Sequence, residues 1–187
     1  MSRIPPAPTD QYVRLFGEHP PLRQQIYAWN PAIAAPFTEF MSRFRDASCL
    51  PARMVELVRL RVAFHNQCRS CMAVRYSAGA EDGVTEELVC SLERPAEATD
   101  LTSAEKAALA FADLFATNHL AISDETFAGL REHFSEPELV DLCFQVAMFV
   151  GVGRMNAVLD LVDDLPEEYA ERGTVLAPWS LEPAQRA

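Results

Sequence analysis

The sequence predicts an all-α, single-domain protein, and three observations carry that expectation. Apolar residues recur at intervals of three and four along most of the chain. Almost no stretch alternates with period two, and helix-capping residues precede several of the apolar runs. At 187 residues and 49% hydrophobic content, the chain can bury one substantial core.

The elements follow in order. Residues 1–30 carry Pro5, Pro6, Pro8, Pro20 and Pro21 and read as an extended arm with one short helix near 11–16. Residues 31–165 read as the helical domain and 166–187 as a tail. From Pro31 to about Asp46, Ile33, Phe37, Phe40, Met41 and Phe44 form one helical stripe. Pro51 suits the first position of the next helix, whose stripe of Met54, Leu57, Val58, Val62 and Ala63 runs to about His65 with Glu56 inside it. A helix from Asn66 or Gln67 to Ala80 is expected next, then a short one over 85–92. Thr102 and Glu105 form a capping box ahead of an apolar helix. Ser123 caps another, and Ser135 with Pro137 opens a long apolar one. The tail after Pro166 is expected to dock through Trp179.

Charge narrows the function classes. Against 16 basic residues stand 27 acidic ones, a formal charge of -11 without a basic tract, so nucleic acid is a poor partner. The richest apolar run, 139–162, is interrupted by Asp141, Gln145, Arg154 and Asn156, which argues against a membrane span. Prolines stand near the start where a signal peptide would carry its apolar run, so a cytoplasmic setting is expected. Five cysteines are too few and too unevenly spaced for a disulfide framework. Cys49, Cys90 and Cys143 read as ordinary free thiols, and Cys68 and Cys71 are the exception.

That pair lies in HNQCRSCMAVRY, residues 65–76. On a helix the two thiols would be about 60° apart around the axis and ~4.5 Å apart along it, close enough to pair. A helix N-terminus, Arg69, and Arg75 four residues after Cys71 would favour thiolate over thiol. A thiolate so placed can attack a peroxide and be resolved by its neighbour, or exchange with another disulfide. Such chemistry needs a proton acceptor, for which a buried carboxylate would serve, and Glu56 is the candidate. Twelve residues of unbroken helix would hold it ~18 Å from Cys68, so the chain must fold back, with Asn66 suited to the break. The plainer reading of Glu56 is an ion pair with a neighbour such as Arg59. Two other readings of the cysteines stay open: space-filling thiols, or zinc ligands with His65, for which no second ligand pair exists.

The segment 56–88, ELVRLRVAFHNQCRSCMAVRYSAGAEDGVTEEL, resembles the signature of the alkyl hydroperoxidase D and carboxymuconolactone decarboxylase family. Shared features are Glu-Leu-Val before an Arg-rich apolar helix, Asn two residues ahead of Cys-x-x-Cys, and Ala and Gly before a short acidic helix. The later runs LTSAEKAALAFADLF and LVDLCFQVAMFVGVGRMNAVLDL are similar to its later helices, so the resemblance spans about 31–161. It implies an all-helical fold, a homotrimer or hexamer, and thiol peroxidase or disulfide reductase activity. It also implies Glu56 as proton relay, Cys71 as the attacking sulfur and Cys68 as the resolving one.

The best-known members carry histidine where this chain has Ser70 and Arg75. His65 is then the candidate to substitute in proton relay, its plainer reading being a histidine that caps or ends the preceding helix, and Arg75 and Ser70 are the candidates to stabilise a thiolate. No nicotinamide or flavin fingerprint is present, so no cofactor is expected, and electrons would come from a protein or small thiol to reduce the enzyme after a hydroperoxide substrate. The alternatives are a lactone-processing decarboxylase and an oligomeric redox sensor without turnover.

Overall fold

In a computed structural model, residues 1–171 and 173–186 are described, and they form an all-α fold. The helices are α1 (Thr9–Phe16), α2 (Leu22–Tyr27), α3 (Pro31–Asp46), α4 (Ala52–Asn66), α5 (Arg69–Met72), α6 (Ser77–Glu81), α7 (Glu86–Cys90), α8 (Ser103–Thr117), α9 (Asp124–Arg131), α10 (Glu136–Leu159) and α11 (Glu167–Ala170). A two-residue strand, β1 (Val74–Arg75), pairs in parallel with β2 (Gln185–Arg186), tying the tail to the segment after the cysteines.

The centre of the fold is α4. Leu57, Val58, Leu60 and Val62 are all but fully buried, on more than one face, because α8 and α10 pack on it from different sides. Leu109 and Phe111 of α8 and Leu139, Leu142 and Val146 of α10 complete that core. Burial on several sides leaves little solvated surface for the charged residues of α4, which find partners within the protein. Arg61 pairs with Asp113 of α8 at 2.7 Å, and Arg53 with Glu105 at 2.6 Å.

Capping signals mark the observed helix starts. Thr102 accepts from the Glu105 N–H while Glu105 bonds back to the Thr102 N–H, and Ser135 and Glu138 form a second capping box. Ser123 accepts from the Thr126 N–H, and Thr85 from that of Leu88. Trp179 docks the tail as expected, its ring 4.8 Å from that of Phe64.

Two expectations need correction. The arm contains α2 as well as α1; its Leu22 and Ile26 bury against Leu161, a partner invisible in local sequence. The single helix over 66–80 is instead α5, β1 and α6. Gln67 takes the left-handed conformation (φ 49°, ψ 38°) and stops α4, while Tyr76 is extended before α6.

By length and mean hydropathy, which reaches 1.5, α10 could cross a membrane. In the fold it packs against α4 and α8, and its polar residues have protein partners. Asp141 accepts from Ser48 and from the Cys49 N–H, and Arg154 donates to Asn66 and to the Ala116 carbonyl.

Candidate active site

The turn at Gln67 reverses the chain so that Cys68 and Cys71 come back against α4. The sulfurs are joined in a disulfide, with Cα atoms 5.2 Å apart. Cys68 caps the N-terminus of the one-turn α5 and is 0% exposed, whereas Cys71, at its third residue, is half-buried. With only four residues, α5 aligns too few peptide dipoles to supply the positive end expected from the sequence.

Cys71 opens on a cavity of about 830 Å³, of the size that holds a small ligand. Its wall is largely apolar, with Phe37, Met41 and Phe44 from α3 and Met148, Phe149 and Val152 from α10. Glu56, Arg59, Ser70 and Tyr76 line it as well, while Cys68 does not. Of the two bonded cysteines, Cys71 thus lines the cavity and Cys68 does not.

Glu56 is 2% exposed and grips Arg59, with Arg59 Nε 2.7 Å from Oε2 and Nη2 2.8 Å from Oε1. The Tyr76 N–H donates to Oε1 at 3.1 Å. Arg59 in turn donates from Nη1 to the Cys71 carbonyl and from Nη2 to the Val74 carbonyl, both at 2.7 Å, and its guanidinium lies 4.4 Å from the Tyr76 ring centroid. Burial alone would push the Arg59 pKa down; the Glu56 charge and hydrogen bonds outweigh it and raise the value. The ion pair anticipated for Glu56 is therefore the clamp that fixes the cysteine turn to α4.

Gly79 brings α6 directly onto this pair. A Cβ there would lie 2.7 Å from Glu56 Cβ and 2.8 Å from its Cγ. Gly79→Ala is expected to destabilise the fold by about 1–3 kcal/mol through overpacking, measured as a lowered urea midpoint at unchanged m-value.

The remaining candidates are placed as follows. Ser70 Oγ lies 3.6 Å from Cys68 Sγ. His65 Nε2 lies 2.6 Å from Asp113 Oδ1, and its ring packs beside Phe64, so it is engaged toward α8. Burial raises the Asp113 pKa, but hydrogen bonds from His65 and Arg61 outweigh it and hold the carboxyl below its ordinary range. Arg75 does not share a helix face with Cys71, because the helix ends at Met72 and Arg75 lies on β1. Arg75 is 3% exposed, and its guanidinium donates to Glu86 at 2.9 Å and to the carbonyls of Met72 and Pro178 at 2.8 and 2.9 Å. Arg69 likewise donates to the Tyr169 and Glu171 carbonyls of the tail. Both arginines brace the tail against the turn. Among the described residues, no three His, Cys, Asp or Glu side chains cluster as metal ligands.

Three residues of this cavity went unassigned in the sequence. Asn156 of α10 donates from Nδ2 toward Cys71 Sγ at 3.9 Å, and the Tyr27 hydroxyl donates to Asn156 Oδ1. Arg23, one turn before Tyr27 on α2, lines the same cavity. The signal for Asn156 was present, since an asparagine inside an apolar run needs a buried partner. Tyr27 and Arg23 sit in an arm whose docking site no local pattern reveals.

The fold is shared with a solved structure. It superposes on an alkylhydroperoxidase AhpD core structure, a peroxidase-related protein from Ralstonia eutropha JMP134. The TM-score is 0.68 at 20% identity, covering 90% of this chain and 94% of that one. Residues 31–114 match the carboxymuconolactone decarboxylase family model. Among curated proteins, the chain is 33% identical over 115 residues to an uncharacterized Mycobacterium tuberculosis protein, covering 60% of this chain and 40% of that one. It is 28% identical over 103 residues to the uncharacterized Bacillus subtilis protein YdfG, covering 54% of this chain and 70% of that one. The chain thus spans less than half the length of the Mycobacterium relative.

Proposed function

We propose that the chain is a thiol-dependent peroxidase or disulfide reductase that cycles through the Cys68–Cys71 disulfide. One observation carries this reading: the two sulfurs are bonded, and Cys71 alone of the pair faces the cavity. In the reduced protein the Cys71 thiolate attacks the outer oxygen of a hydroperoxide. The O–O bond breaks, Cys71 becomes a sulfenic acid and the alkoxide leaves as an alcohol after taking a proton. The Cys68 thiol then attacks the sulfenic sulfur, forming the disulfide and releasing water. A protein dithiol or a small thiol supplies the two electrons that reopen it. Glu56 lines the same cavity as Cys71 and serves as the group that takes the thiol proton. The apolar wall suits an organic hydroperoxide better than hydrogen peroxide. Peroxide consumption coupled to thiol counting tests this reading, and a reduced protein whose thiols survive hydroperoxide treatment would refute it.

The family's other named activity, decarboxylation of a lactone acid, requires no dithiol. Turnover of such a substrate by a Cys68→Ser, Cys71→Ser double variant would favour it.

We also propose self-association into a homotrimer or hexamer. Ile33 and Phe40 on α3 and Val140, Phe144 and Val158 on α10 are large apolar side chains left exposed, and a second copy of the chain would cover them. Sedimentation should give a multiple of the 20.8 kDa chain mass, and Phe144→Glu should shift it toward the monomer.

A further inference from the structure

The Cys71 thiolate needs a stabilising partner, and the cations expected to supply it are committed elsewhere: Arg69 to tail carbonyls and Arg75 to Glu86 and carbonyls. What reaches Cys71 Sγ from another element, among the described residues, is the Asn156 amide, its Nδ2 3.9 Å away. Asn156 is 7% exposed, and its amide orientation is fixed from the far side. The Tyr27 hydroxyl bonds to Oδ1, and because an amide oxygen can only accept, the phenol donates and the NH2 group is turned to the sulfur. Burial, partly offset by Arg23 and by the Asn156 hydrogen bond, pushes the Tyr27 pKa up to about 12, so the phenol keeps its proton near neutrality. A disulfide sulfur is a weak acceptor; a thiolate at the same place is a strong one, and its hydrogen bond is charge-assisted.

We propose that Asn156 is a catalytic residue of this chain, its amide N–H donating to the Cys71 thiolate and stabilising it over the thiol, with Tyr27 as the positioning residue that orients the amide. The proposal rests on the reading of Cys71 as the attacking sulfur. It assigns to a neutral side chain of α10 the anion-stabilising part of a histidine's work, without the proton transfer that an amide cannot perform near neutral pH. The charged and titratable groups sharing the cavity with Cys71 are Arg23 and Tyr27 on α2, Arg45 and Asp46 on α3, and Glu56 and Arg59 on α4; Tyr76 joins them from the N-cap of α6. Arg59 and Glu56 neutralise one another. The α10 residues of the wall are uncharged, so α10 acts on the sulfur through the Asn156 dipole alone.

The test is the pH dependence of Cys71 alkylation by iodoacetamide. It is followed on the Cys71 peptide by mass spectrometry in the reduced 187-residue chain carrying Cys68→Ser, with and without Asn156→Ala, Asn156→Asp or Tyr27→Phe. Loss of the amide should raise the apparent thiol pKa by about one to two units, slowing alkylation near neutral pH roughly tenfold per unit. Asn156→Asp should raise it further, because a carboxylate then faces the sulfur. Tyr27→Phe removes no charge and should give a smaller rise in the same direction. A merely structural Asn156 would lower thermal stability in the Ala and Asp variants without ordering their thiol pKa values. An unchanged pKa in Asn156→Ala, or in Tyr27→Phe where the former does not fold, overturns the proposal. Peroxide consumption, assayed separately on wild type, decides the peroxidase reading, so either claim can fail while the other stands.

Discussion

One equivalent of an organic hydroperoxide is expected to lower the free thiols of the reduced chain from five to three, leaving Cys49, Cys90 and Cys143. Cys71→Ser should abolish the loss and all turnover, because the remaining sulfur of the pair, Cys68, is 0% exposed and does not line the cavity. Cys68→Ser should behave differently. Its Cys71 still faces the cavity and should react once, halting at a sulfenic acid that dimedone traps, since no neighbouring thiol remains to resolve it. The two single variants thus separate attack from resolution. Equal peroxide reactivity in both would refute the assigned order. A disulfide that forms stoichiometrically with negligible catalytic consumption, accompanied by a change in assembly size, would point to a redox sensor in place of an enzyme.

The second large effect is expected at Glu56, where two contributions can be told apart. Glu56 and Arg59 are both almost wholly buried, so Glu56→Ala strands a guanidinium in the core. Removing one partner of such a pair costs about 3–5 kcal/mol, to be read from urea denaturation. Glu56→Gln keeps the shape and one acceptor oxygen for Arg59, so it should fold at a smaller cost, but it cannot take a proton. Peroxidase turnover should then fall by about 10²–10⁴-fold. Full turnover in Glu56→Gln would leave Glu56 only its role as the anchor of Arg59, which holds the Cys71 and Val74 carbonyls.

Much of this molecule is legible in one dimension. The capping boxes at Thr102 and Ser135 fix where α8 and α10 begin, because the capping bonds span only three residues. The stripe of α4 was correct at Met54, Leu57, Val58, Val62 and Ala63, all of them buried. The stripe of α3 was less informative. Its periodicity gave the helix, yet Ile33 and Phe40 are 64% and 48% exposed, since an apolar residue does not say what covers it. Between 66 and 80 propensity misled, because the helical pattern of SCMAVRY is overridden by tertiary hydrogen bonds. Arg59 takes the Cys71 and Val74 carbonyls, and the tail backbone takes the Ala73 carbonyl through the Ala184 N–H.

The sequence by itself determined the all-α class, most helix starts and the reachability of Cys68 and Cys71. Each of these follows from interactions a few residues long, which spacing and residue type encode directly. Only the tertiary structure decided which cysteine meets the cavity, that Arg59 binds Glu56 to the cysteine turn, that Arg75 and Arg69 serve the tail, and that Asn156 reaches Cys71 while Tyr27 holds Asn156. Those contacts join residues up to 129 positions apart, such as Tyr27 and Asn156. The packing of α2, α4 and α10 around one cavity sets them, and no local pattern along the chain records it.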